Sequence, residues 1–96
     1  MNKVSIRTVE DKTYHYNLDK CTRWRITERL EFVSEPVEAI FKGVVPWWLV
    51  RLLAHDGLER MTVPKAERVR CATAIAHAKN KGVVVSYDDE HMSKRV

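Results

Sequence analysis

The sequence predicts an α+β domain: a small antiparallel sheet of three N-terminal strands and one C-terminal strand, with two or three helices packed on one face. Three observations carry that expectation. Polar and apolar residues alternate early in the chain, two Pro- and Gly-bounded runs of helical composition occupy the middle, and a β-branched run returns at Val83-Val84-Val85. A length of 96 residues is enough for one core and not for two. The domain is expected to span 1–87, with 88–96 a charged, mobile tail.

Each element has a local reason. Residues 3–9 place Val4, Ile6 and Thr8 on one parity and Ser5, Arg7 and Val9 on the other, the pattern of a half-buried strand. Glu10-Asp11-Lys12 interrupts it, and Thr13 to Asn17 follows with Tyr14 and Tyr16 on one side, which predicts a β-hairpin. A third strand is expected over 23–32, where Trp24, Ile26, Leu30 and Phe32 share a parity opposite Arg23, Arg25, Arg29 and Glu31. Ser34-Glu35-Pro36 has the chemistry of a helix start, because Ser caps orphan amides and Pro suits the first turn; that helix would end by Gly43. Pro46 opens a clearer helix from Trp47 to Asp56, stopped at Gly57. The longest helix is predicted from Pro64 to Lys81, with Asn80 and Gly82 as its stop, after a loop over 58–63. Residues 83–87 then read as a buried strand rejoining the sheet.

Composition narrows the function classes. Seventeen Lys and Arg stand against thirteen Asp and Glu, a net +4, and hydrophobic residues make up 45% of the chain, as in an ordinary globular domain. The excess is local: residues 46–87 hold seven basic residues against three acids, whereas 1–45 hold eight against seven. Cys21 and Cys71, fifty positions apart, do not form a disulfide framework and are expected to be reduced, in a cytoplasmic protein. The N-terminal residues carry no apolar signal core, and the longest apolar run is far short of the roughly 20 residues needed to cross a bilayer. No membrane association is expected.

Catalytic and metal chemistry have little support. His15, Cys21, His55, Cys71, His77 and His91 form no close ligand pair, so no metal or other cofactor is expected. Neither cysteine has a readable activating base, the serines lack an elbow or triad context, and three glycines leave no phosphate-cradling loop. A helix-turn-helix does not fit either, because the segment between the last two helices is longer than the tight turn of that motif.

Two surfaces remain as candidates. The Trp47 to Asp56 helix is apolar almost all round, more than a small core can hide, so Trp47 and Trp48, with Arg51 and His55, are candidate partner-binding residues. In the predicted third helix, Arg70, Ala74, His77 and Lys81 recur at spacings of four, three and four and would share a face, extended by Lys65 and Arg68. Lys65, Arg68, Arg70, His77 and Lys81 are therefore candidates for nucleic acid or an acidic protein surface. The resulting expectation is a small non-enzymatic protein, of the kind found among phage and mobile-element accessory factors, that docks and inhibits a larger host nucleic-acid-processing protein. Direct DNA or RNA binding is the alternative, and a second copy of the chain is a further candidate partner.

Overall fold

The computed structural model of the chain describes residues 2–20 and 35–88. They form an α+β unit in which one five-stranded sheet is covered on one face by two helices. The expected third strand at 23–32 lies outside the described residues, as does the expected tail at 88–96 except for Asp88, which is not tail but the last residue of a strand, paired with Pro64.

Strands β1 (Lys3–Thr8) and β2 (Thr13–Asn17) form the antiparallel hairpin that the alternation predicts. Its turn is closed by Asp11 N–H donating to the Thr8 carbonyl at 2.9 Å, with Asp11 in the left-handed region at φ 61. Asp tolerates that conformation better than most non-glycine residues. Facing residues alternate as the pleat requires. Val4 and Ile6 are buried against the helices, while Lys3, Ser5 and Arg7 project from the other face.

The chain next departs from its local signals. Residues 36–42 are strand β3 (Pro36–Lys42) rather than the helix that Ser34-Glu35-Pro36 predicts. Ala39 and Phe41 point into the core, while Glu38, Ile40 and Lys42 point out, a period of two that the cap-like tripeptide masks. Pairing decides the outcome: β3 lies antiparallel to β1 on one side and parallel to a fourth strand on the other, so its backbone groups are satisfied by neighbours. Pro36 is tolerated because it is the strand's first residue.

Helix α1 (Trp47–His55) matches its prediction, starting after Pro46 and stopping at Gly57, whose φ of 91 glycine adopts without steric cost. The predicted loop contains strand β4 (Arg60–Pro64), with Met61 and Val63 buried. The predicted helix 64–81 is shorter than expected. A 3₁₀ turn at Lys65–Glu67 and an irregular stretch precede α2 (Ala72–Asn80). Strand β5 (Val84–Asp88) rejoins the sheet as its edge, so it is half-buried and Val84 is exposed.

Sheet order is β2-β1-β3-β4-β5. The sheet is mixed, and not antiparallel as expected: β2-β1-β3 is antiparallel, β3-β4-β5 parallel. Each parallel step is bridged by a helix, as parallel neighbours require. Leu49, Val50, Leu53 and Ala54 of α1 and Ala74, Ile75 and Ala78 of α2 meet Val4, Ile6, Ala39, Phe41, Met61 and Val63 in one core. The small residues of α2 allow close approach to α1 and the sheet. Lys79 extends along the same helix so that its ammonium lies 5.8 Å from the centroid of the Tyr87 ring.

Candidate binding surface

Helix α1 sorts its residues into two sides. Leu49, Val50, Leu53 and Ala54 are buried, whereas Trp47, Arg51 and His55, spaced four apart, form an exposed row. Trp47 is 51% exposed. Trp48 is half-buried and packs on the core. Of the four predicted partner-binding residues, Trp47, Arg51 and His55 therefore share one face, and Trp48 belongs mainly to the interior. A tryptophan left half in water on an otherwise sequestered helix is the residue type that anchors interfaces.

Trp47 stands at the end of the sheet where β3 and β4 finish, β1 begins and β2 ends. The β3–α1 and β4–α2 connections, which run from the same end of the sheet, carry two further exposed apolar residues, Val44 and Val69, 52% and 80% exposed. The same end gathers Lys3, Lys20, Lys42, Lys65, Arg68 and Arg70 against Asp19, Glu67 and Asp88. Both helices start here with no acidic residue in the first turn, which adds partial positive charge. At the opposite end, Glu10, Asp11, Glu35, Glu38, Asp56 and Glu59 are nearly balanced by Arg7, Lys12, Arg60, Lys79 and Lys81, and ion pairs join Arg7 to Asp11 and Glu38, Lys12 to Glu10, and Arg60 to Glu38 and Glu59. Among the described residues, the cationic excess therefore lies at the Trp47 end.

The predicted basic row is divided by this geometry. Lys65, Arg68 and Arg70 precede α2 and lie at the basic end. Lys81 caps the far end of the nine-residue helix, about 13 Å away by helical rise, and His77 is half-buried between. The row thus does not form one continuous helical face, because the helix that would align it starts only at Ala72.

Glu67 explains why. Its side chain turns inward, where Val45 N–H donates to Oε1 at 2.7 Å. Arg70 Nε donates to both carboxylate oxygens, at 3.1 and 3.0 Å, and Arg70 Nη2 reaches both Oε1 and the Val45 carbonyl. The Cys71 thiol donates to that same carbonyl at 3.4 Å. The Arg70 guanidinium holds the Glu67 carboxyl below its ordinary value, with the Val45 amide acting the same way against the opposing pull of burial. Arg70 is raised in turn, chiefly by its hydrogen bond to Glu67, while burial pushes the Cys71 thiol up. This clamp ties the connection before α2 to the one before α1 and so fixes Trp47 and Val44 in place. Nothing in the spacing of Val45 and Glu67 announces it.

Other chemistry is sparse. Among the described residues, no group of three or more His, Cys, Asp or Glu converges as a metal site, and Cys71 is a free thiol. No helix among them is long and apolar enough to cross a membrane. Ser5 Oγ and His15 Nδ1 lie 2.8 Å apart across the hairpin, a contact that sequence reasoning missed. Hairpin register was the available signal, since it sets Ser5 opposite His15. No protein-family model and no curated protein matches the chain.

Proposed function

We propose that the chain is a non-enzymatic binding module that docks a larger nucleic-acid-processing protein through the surface around Trp47 and inhibits it. The observation that carries this reading is the exposure of Trp47 on a helix whose other large apolar residues are buried or half-buried. Val44 and Val69 are exposed apolar residues of the same end, Arg51 and His55 continue the exposed row along α1, and Arg68 adds positive charge suited to an acidic rim on the partner, whereas the Arg70 guanidinium is committed to Glu67. The reading places the protein in the cytoplasm, which the unpaired Cys71 suits.

A second reading, direct nucleic-acid binding, is favoured by the concentration of cations at the Trp47 end, where an exposed indole is a stacking platform. One experiment addresses both. Affinity capture is carried out with wild type and Trp47→Ala, with and without nuclease, at low and high salt. Docking predicts a stoichiometric protein partner that survives nuclease and is lost by a folded Trp47→Ala variant. Equal recovery by that variant overturns the assignment. Nuclease-sensitive capture that falls steeply with salt supports the second reading instead.

A further inference from the structure

Lys3 and Lys42 face each other directly across β1 and β3. Their strand neighbours Val4 and Phe41 are buried in the core, so both lysines stand on the sheet face away from the helices, and both are exposed. Like charges at directly opposed positions oppose strand pairing. The same two strands show the usual solution four residues along on the same face, where Arg7 faces Glu38 and pairs with it at 3.6 Å. Neither Lys3 nor Lys42 has an ion pair among the described residues. The nearby Asp19 carboxylate is engaged elsewhere, accepting Asn2 N–H at 3.0 Å and Asn2 Nδ2 at 2.7 Å.

The groups around this rung are donors. Asn17, opposite Lys3 on β2, uses its side-chain oxygen to accept Asp19 N–H at 3.0 Å, which leaves its NH₂ as the available group. Ser5 and His15 are hydrogen-bonded to each other, and either neutral tautomer leaves one outward hydrogen: the ring Nε2–H if Ser5 donates, the hydroxyl hydrogen if His15 does. Lys3, Ser5, His15 and Asn17 line a shallow depression of about 350 Å³, with Lys42 beside Lys3.

From this juxtaposition we infer a binding site for a phosphoryl group on the sheet face away from the two described helices, held by Lys3 and Lys42 with Asn17 and the Ser5–His15 pair as hydrogen-bond donors. The site lies on the side of the sheet away from α1, so it stands or falls independently of docking through Trp47. An anion between the two ammonium groups turns their repulsion into shared attraction. Its source is either a free phosphate-bearing small molecule or the backbone of a polynucleotide.

The test is an amide NMR titration of the full chain, first with inorganic phosphate and separately with a short oligothymidylate, on wild type and Lys42→Glu. The substitution recreates the Arg7–Glu38 arrangement and is expected to raise the melting midpoint by roughly 1–5 °C while abolishing binding. In wild type, the resonances of Lys3, Ser5, His15, Asn17 and Lys42 should shift together. Response to phosphate assigns a small-molecule source. Response to the oligonucleotide alone assigns a polynucleotide, and Lys3→Gln should then lower the slope of log affinity against log salt by about 0.7. No coherent shift at these residues with either probe, or equal shifts in folded Lys42→Glu, overturns the site. Trp47→Ala leaves these shifts unchanged.

Discussion

Removing the Glu67 carboxylate is the perturbation whose consequence the structure specifies most fully. In Glu67→Ala, the Val45 amide loses its acceptor in a buried position, at a cost of about 1–3 kcal/mol. The ion pair adds less, because the Arg70 side chain is 47% exposed and solvent screens it, so about 1 kcal/mol is an upper figure. The expected total is about 1–4 kcal/mol, or a midpoint lower by roughly 5–30 °C for a chain of this size. Glu67→Gln keeps a carbonyl oxygen for Val45 and should cost about 1 kcal/mol. Thermal denaturation followed by circular dichroism measures both. The pH dependence supplies an independent readout. The folded carboxyl lies below its ordinary 4.5, so the unfolded chain binds more protons in the window between the two values. The contribution is therefore fully present above that ordinary value and is lost as pH falls through the lower folded one. The gap between wild type and Glu67→Gln should hold from neutral pH down to the ordinary value of 4.5 and close as the pH falls from there through the lower folded one. A Glu67→Ala midpoint within about 2 °C of wild type, or a gap that widens on acidification, would refute the clamp.

Other substitutions separate core from surface. Phe41→Ala, at a side chain with no solvent exposure on the strand shared by both halves of the sheet, should cost about 3–5 kcal/mol, whereas Trp47→Ala should stay within about 1 kcal/mol in the same melts. Thr8 is buried with its hydroxyl oxygen lacking a hydrogen-bond partner among the described residues, so Thr8→Val should leave stability unchanged or raise it by up to about 1 kcal/mol; a loss beyond that would show that the hydroxyl has a partner. In a Cys21→Ser background, Cys71 should resist a thiol-specific reagent while folded and react fully in denaturant, because the thiol is buried and its pKa raised.

What was legible in the sequence was whatever a short stretch decides by itself. The β1–β2 hairpin follows from alternation and a polar break, and α1 from a proline and a glycine enclosing a run that no strand of that length would contain. Counting apolar residues against the room available also placed one of the two indoles, Trp47 or Trp48, at the surface, but which of them is exposed was settled only by the fold. Residues 36–42 and 60–64 were not legible, because a strand central to a mixed sheet is stabilised by partners distant in sequence. Local capping chemistry at Ser34-Glu35-Pro36 is worth about 1 kcal/mol and yields to two ladders of backbone hydrogen bonds. The basic row of the predicted long helix failed for a related reason: Glu67 satisfies a buried amide twenty-two positions away, and that bond displaces the helix start to Ala72.

The sequence by itself determined a mixed α and β content, a positive excess in residues 46–87 and a helix with more apolar surface than a small core readily hides. Tertiary structure alone decided that Lys3 meets Lys42, that Ser5 meets His15, and that Lys65, Arg68 and Arg70 gather with Trp47 at one end of the sheet. The physical reason is register. Side-chain chemistry is written in the chain, but which side chains share a rung depends on long-range strand pairing, whose free energy no local window contains.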